Sequence, residues 1–308
     1  MWGFPTCMVN RNSMLEKEMD NEPVLVMEGG AMRGLFTAGV LDAFMDHHFY
    51  FKKVVGISAG TLQGLGYLSR QCGRSVRVNS AYAADPRYMG LRHMVKGGSF
   101  FNFDFMLGPL AHEEDPFDFE TFGKAEEELY AVITDCLKGE SHFISSHSLS
   151  EEEFMKVCEA SCSIPLVSKP VEWRGKAYVD GGVGMPLVPL PQEIPFPHGK
   201  IVYILTRDVN YRKKPVPFWF HGLLNAVFGR QYPAVVKGMC SIPERYNQKV
   251  EKVLALEREG SVFVIRPDEP VTVSRTERDA GKLRKLHGQG YRLAMDRFEE
   301  MKRWLHGE

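Results

Sequence analysis

The chain has 308 residues, 44% of them hydrophobic and 25% charged, with a formal net charge of -1. That length suits one large domain or a domain with an appendage, and the composition excludes a disordered chain. The charge balance lacks the basic surplus of a nucleic-acid binder, so no nucleic-acid partner is expected.

Met1 to Glu22 has no basic stretch followed by an apolar one, so it is not a secretory signal; its polar, methionine-rich composition predicts a loosely ordered leader. Pro23 to Met27 reads as a buried strand, a short apolar run entered by proline. Glu28-Gly29-Gly30-Ala31-Met32-Arg33-Gly34 breaks it, and Leu35 to His48 carries the apolar face of a helix. Val54 to Ile57 is the second strand, followed by a helix over Ser58 to Cys72. Strand–helix–strand–helix at this spacing predicts βαβ units and a parallel sheet with helices on its faces.

An aromatic-rich stretch follows, with Phe100, Phe101, Phe103 and Phe105 close together and Phe117, Phe119 and Phe122 soon after. It reads as a long loop pinned to the core by its rings, compatible with the wall of an apolar substrate pocket. Leu129 to Cys136 and Ser141 to Ser145 read as two strands around a Lys138-Gly139-Glu140 turn. Ser150 is the expected N-cap of a helix running to about Cys162, with Glu153 at its third position. Ala177 to Val179 is a short strand leading into Asp180-Gly181-Gly182, and Lys200 to Thr206 is expected to be the last strand of the main sheet. Beyond it, Phe218 to Phe228, Ala234 to Arg258 and Thr276 to Leu305 are helical patterns, interrupted by a strand-like run, Ser261 to Ile265. The expected division is a leader over 1–22, an α/β domain over 23–208 and a mainly helical extension over 209–308 packed on it.

Three glycine-marked turns carry the chemistry. Gly56-Ile57-Ser58-Ala59-Gly60 is a G-x-S-x-G elbow, in which a serine sits on a tight strand-to-helix turn with glycines on both sides. Its early position argues against a Ser–Asp–His hydrolase, which places its nucleophile after several strands. Gly29 to Gly34 also follows a strand and opens a helix, so its backbone N–H groups suit an oxyanion hole or a phosphate nest. It lacks the G-x-G-x-x-G spacing of a dinucleotide loop, and no G-K-[ST] of a P-loop occurs. Asp180-Gly181-Gly182 presents a carboxylate at the end of a strand.

The ordered set G-G-x-x-R-G, G-I-S-A-G and Y-V-D-G-G resembles the patatin-like phospholipases over roughly Val24 to Pro189. Ala160 to Pro165 also resembles that family's lead-in to its aspartate, and the helical remainder is similar to the C-terminal regions of bacterial members. The resemblance implies a three-layer α/β/α sandwich with a mostly parallel central sheet. It implies a serine acyl hydrolase of phospholipids, lysophospholipids or neutral lipids. Ser58 matches the nucleophile, Asp180 the base of a Ser–Asp dyad, Gly29, Gly30 and Ala31 the oxyanion loop, and Gly34, Gly56, Gly60, Gly181 and Gly182 the motif glycines. Arg33 matches the basic residue of the loop, either binding an anionic head group or capping and pairing on the surface. The family loop usually reads G-G-G, and Ala31 departs from it at the third position; if the loop needs φ > 0 there, its oxyanion hole is strained or reshaped.

A dyad of this kind works without histidine. An aspartate, with an ordinary pKa near ~3.9, becomes a better base when partly desolvated. His198 and His221 follow Asp180 in the chain but read as surface residues, and Asp104, Asp118 and Glu28 read as solvated or locally hydrogen-bonded groups. The basic run Tyr211-Arg212-Lys213-Lys214 reads as a solvated loop rather than a membrane patch. The alternatives are acyl transfer or thioester cleavage by the same dyad, and a non-catalytic lipid-binding module. The partner expected is a lipid or acyl-ester substrate, with room for a peripheral membrane contact through Phe218-Trp219-Phe220 and for a homo-oligomer. The six scattered cysteines fit free thiols in a reducing, cytoplasmic compartment; Cys158 and Cys162 lack the further ligands of a zinc site, so neither metal nor cofactor is expected. No run approaches the ~20 apolar residues that span a bilayer.

Overall fold

The computed structural model describes residues 21–96 and 98–308. Nearly all of the expected leader, residues 1–20, lies outside the described residues, as does Gly97.

Eight strands form one mixed sheet. Its centre is β1 (Val24–Met27), flanked in parallel by β2 (Lys53–Ile57) and β7 (Ile201–Ile204). All four side chains of β1 are fully buried, the pattern of a strand covered on both faces. Period-two alternation divides them between two cores. Leu25 and Met27 face the first core, with α1 (Leu35–Asp46), α2 (Ala59–Leu68) and the C-terminal helix. Val24 and Val26 face the second, with Tyr246, Val250 and Val253 of a later helix. The result is the expected helix–sheet–helix layering.

β3 (Glu128–Asp135) lies parallel to β2, and it turns at Gly139 into antiparallel β4 (Ser141–Ser145). β5 (Val171–Trp173) and β6 (Lys176–Asp180) form a hairpin that the sequence reading captures only in its second arm. β8 (Val262–Ile265) pairs in parallel with β7. Lys200 to Thr206 therefore does not supply the last strand of the sheet; the apolar run after residue 260 adds one more at its edge.

The aromatic stretch is not one long loop. α3 (Arg74–Tyr82) precedes it, and helical turns Leu91–Lys96, Phe103–Leu107 and Phe119–Gly123 punctuate it. Phe103, Phe105, Phe117 and Phe122 are buried, so the rings still pin the segment to the core. α4 (Glu151–Ser161) starts as expected, with Ser150 Oγ accepting from the Glu153 amide at 3.3 Å. The C-terminal helices are α5 (Phe218–Phe228), α6 (Pro233–Arg258) and α7 (Ala280–His306). Asp279 caps α7, its carboxylate accepting from the amides of Gly281 and Lys282. α7 lies on α1 with the two backbones in contact. A Cβ at Gly39 would come within 2.0 Å of the His287 carbonyl oxygen, and one at Gly290 within 2.1 Å of that of Phe36. The five cysteines among the described residues are free thiols.

Candidate active site

Strand register brings the serine and the aspartate together. Ile57, the last residue of β2, pairs with Val132 of β3; Asp180, the last residue of β6, pairs with the next residue, Ile133. β4 pairs with both Val132 and Ile133. A strand residue has one neighbour on each edge, so β2 and β6 share the edge of β3 opposite β4, one following where the other ends. Successive positions lie about 3.3 Å apart along a strand. Ser58 and Asp180 thus emerge side by side from segments more than a hundred residues apart.

Ser58 sits at φ 54, ψ -123, between β2 and the first turn of α2. This is a conformation that residues with a Cβ rarely adopt, and holding it costs on the order of 1–3 kcal/mol. The turn is braced by Ser161, whose fully buried hydroxyl accepts from the Ser58 amide at 3.0 Å, meets Thr61 Oγ1 at 3.0 Å and donates to the Val132 carbonyl at 2.7 Å. A single side chain at the end of α4 therefore ties the elbow to β3. The sequence reading includes Ser161 only within a lead-in motif; its bracing role is absent from any local pattern.

Asp180 is buried, its backbone held by Ser163 and Thr134. Its carboxylate accepts from the Gly182 amide at 2.7 Å and interacts with the neighbouring Ser58 side chain. Burial pushes its pKa up to about 6, while those contacts and the charges of Arg275 and Lys213 pull it down. No histidine lines the space around Ser58 among the described residues, and His198 instead contacts the carbonyls of Pro191 and Gly199.

The loop over 29–34 passes directly beside the elbow. A Cβ at Gly29 would stand 2.9 Å from Ser58 Cβ and from the Ile57 carbonyl oxygen, so only glycine lets the loop approach this closely. Gly60 plays the same part below the elbow, where a Cβ would lie 2.6 Å from the Met27 carbonyl oxygen. Gly34, Gly56, Gly181 and Gly182 also lie in tight quarters. Ala31 adopts φ 49, the left-handed region that glycine occupies freely. The departure at this position is therefore a strained one: the backbone keeps its shape in spite of the methyl group. Among the described residues, the N–H groups of Gly29, Gly30 and Ala31 meet no backbone acceptor. They adjoin a cavity that also contains Ser58.

Ser58 stands where two cavities meet. One is apolar, walled by Leu62, Val78, Phe101, Phe103, Phe117 and Met155 among others. The other is the more polar of the two: beside apolar walls such as Met185, Leu187 and Ile242 it holds Asp180 together with Arg33, Arg207, Lys213 and Arg275. Arg33 is not a surface residue; it is 6% exposed, and its Nε has no hydrogen-bond partner among the described residues. Burial first, then Arg207 and Arg275, push its pKa down to about 10. The run over 211–214 is not simply a solvated loop either. Tyr211, Lys213 and Lys214 line the polar cavity, whereas Arg212 turns outward to Glu251. Burial and the nearby Arg275 push Lys213 down to about 8. Glu28 is buried rather than solvated and accepts from Thr206 and Tyr246. No group of side chains that could hold a metal occurs among the described residues.

A serine hydroxyl, a buried carboxylate and backbone amides without a backbone acceptor converge at one point. The family model described as patatin-like phospholipase matches residues 25–191, more than half the chain, and a second, described as a domain of unknown function (DUF6363), matches residues 232–306. Escherichia coli (strain K12) has a relative, the uncharacterized protein YjjU, 26% identical over 198 residues; the alignment covers 64% of this chain and 54% of the relative. Human patatin-like phospholipase domain-containing protein 4 is 27% identical over 181 residues, covering 52% of this chain and 65% of that protein. The chain thus spans between half and two thirds of the length of these relatives. VipD from Legionella pneumophila aligns in structure with a TM-score of 0.45 and 12% identity, over 91% of this chain and 67% of that one.

Proposed function

The chain belongs to the patatin-like phospholipase family, and from that premise we propose that it hydrolyses acyl esters of lipids with Ser58 as nucleophile and Asp180 as base. The observation that carries the reading is the position of Ser58, beside the buried Asp180 carboxylate at the junction of an apolar and a more polar cavity.

In this reading the acyl chain lies along the apolar cavity and the alcohol part of the substrate in the polar one. Ser58 Oγ attacks the ester carbonyl carbon while its proton passes to Asp180. The amides of the 29–31 loop and the N-terminus of α2 stabilise the oxyanion, each such donor contributing about 3 kcal/mol in comparable sites. Collapse of the intermediate expels the alcohol, which takes the proton back from Asp180. Water then attacks the acyl-enzyme, giving its proton to Asp180, and the second collapse frees the fatty acid as Ser58 recovers its proton. A base with a pKa near 6 accepts a proton far more readily than an aspartate of ordinary acidity, and burial supplies that increase.

Substrate delivery is peripheral in the same reading. α5 presents Phe218 (92% exposed), Trp219, Leu223 and Val227 to solvent, while Phe220 on the same helix lines the polar cavity. An apolar ridge at the mouth of a lipid site suits contact with a bilayer surface. No helix among the described residues is long and apolar enough to cross a membrane.

The test is labelling by a fluorophosphonate probe, together with release of p-nitrophenol from short esters. The wild-type chain is expected to label and turn over, and Ser58→Ala to do neither. Equal labelling of both proteins refutes the assignment. Product analysis with an added alcohol or thiol acceptor separates hydrolysis from acyl transfer.

A further inference from the structure

The polar cavity contains more positive charge than an ester hydrolase needs. Five basic side chains line it, Arg33, Arg207, Lys213, Lys214 and Arg275, against two carboxylates, Glu28 and Asp180. Both carboxylates are already engaged, Glu28 by Thr206 and Tyr246 and Asp180 by the Gly182 amide. Among the described residues, no carboxylate lies within ion-pair distance of Arg33, Arg207, Lys213 or Arg275. Among the described residues, the buried Nε atoms of Arg33 and Arg207 have no hydrogen-bond partner, although Arg207 Nη1 donates to the Val271 carbonyl at 3.0 Å. Concentrating unpaired cations in a sheltered space is unfavourable unless an anion joins them.

These cations are held in place rather than neutralised. The Arg207 guanidinium stands 4.4 Å from the centre of the Tyr211 ring and Lys213 Nζ 4.1 Å from that of Tyr246. Asn247 fixes the Lys213 backbone on both sides, accepting from its amide at 2.8 Å and donating to its carbonyl at 2.9 Å. The Arg275 carbonyl accepts from the Met32 amide at 3.4 Å, joining its loop to the 29–34 loop. Arg207 and Lys213 fall outside both family-matched stretches, and Arg275 falls in the second, so the patatin-like match supplies only Arg33.

We propose that this cavity is a subsite for a phosphomonoester dianion, so that the lipid best presented to Ser58 is one whose head group is a bare phosphate, a lysophosphatidate or phosphatidate. The assignment rests on the hydrolase reading for its lipid part and on the cation cluster for its phosphate. A phosphomonoester carries close to two negative charges at neutral pH and three acceptor oxygens, enough to engage several of these donors. A choline-capped phosphate brings an ammonium against a wall of cations. The two tyrosine rings that could cage it are already covered by Arg207 and Lys213. A neutral glyceride leaves the cluster unpaired.

The experiment compares 1-oleoyl lysophosphatidate, 1-oleoyl lysophosphatidylcholine and 1-oleoylglycerol in identical mixed micelles, reading oleate release by the full chain. In parallel, binding of each lipid and of inorganic phosphate to the Ser58→Ala protein is measured by calorimetry. Lysophosphatidate is expected to lead in kcat/KM and in affinity by at least about tenfold, the value of one charge-assisted contact. Lys213→Gln and Arg275→Gln are each expected to collapse the ratio of lysophosphatidate to oleoylglycerol turnover by a similar factor. Lys213→Arg is expected to keep it. A ratio taken within one sample cancels any loss of folded protein. Equal turnover and binding of the three lipids overturn the subsite and leave the hydrolase standing. Preferential lysophosphatidate binding with no turnover of any ester supports the subsite and removes the hydrolase. Inorganic phosphate bound as tightly as lysophosphatidate overturns the lipid assignment in favour of a free-phosphate site.

Discussion

Replacing Asp180 by asparagine is expected to stabilise the protein while abolishing turnover. The folded chain holds the Asp180 proton up to about pH 6, against an ordinary value of 3.8, and burial is the main cause. A raised carboxyl pKa means that the folded state binds the proton more tightly than the unfolded state. Its contribution is therefore full below pH 4, falls as pH rises to about 6, and is a net cost above that. About two pH units, at ~1.36 kcal/mol each, set this cost at about 3 kcal/mol. Asparagine keeps an acceptor for the Gly182 amide, present at 2.7 Å, but has no charge to desolvate. At pH 8 the variant should gain up to about 3 kcal/mol, a rise in Tm of roughly 5 °C for a chain of this size, while losing at least ~100-fold in ester turnover. Calorimetric melts of both proteins at half-unit steps from pH 4 to pH 8 make the comparison. A Tm difference that stays constant with pH, or a wild type more stable than Asp180→Asn at pH 8, would refute the reasoning.

Other substitutions probe the same neighbourhood. Ala31→Gly removes a methyl group from a backbone at φ 49 and should raise stability by up to ~1 kcal/mol with ester turnover at or above the wild-type level; loss of turnover would show that the alanine is required. Ser161→Ala strands the Ser58 amide and the Val132 carbonyl, so urea denaturation should register a loss of about 1–3 kcal/mol and kcat should fall as the elbow relaxes. The kcat/KM profile for a neutral ester should climb with pH to a plateau above about 6, as Asp180 loses its proton; a midpoint below pH 4.5 contradicts the base assignment. Phe218→Ser with Trp219→Ser should weaken sedimentation with phospholipid vesicles severalfold and leave hydrolysis of p-nitrophenyl butyrate unchanged.

The framework of the sheet is legible in the sequence because its strands are short apolar runs bounded by glycine and proline. Val24 to Met27, Val54 to Ile57 and Ser141 to Ser145 fall where composition predicts them. β5 is not legible, since three residues with one polar side chain in the middle carry no period. The helical turns near Phe103 and Phe119 are five residues each, too short for an amphipathic repeat to stand out. The placement of β8 is equally hidden, because strand pairing across the whole chain leaves no local mark. The three glycine turns mark the candidate site in the sequence, but what sets Asp180 beside Ser58 is the shared edge of β3, a feature of register. The environment of Lys213 shows the same gap. Four polar residues in a row suggest solvent, yet Asn247, on a helix 34 positions away, draws the backbone of this segment inward.

The crossing of α1 and α7 bears on the order in which the molecule is built. Gly39 touches the backbone at His287, and Gly290 that at Phe36, so the cover for α1 arrives some 250 residues after α1 itself. β7 likewise waits for β8 as an unpaired edge. Contacts between such distant parts of a chain close late and slowly. The half that carries Ser58 and Asp180 therefore keeps an apolar helix face and a strand edge uncovered until α7 and β8 dock.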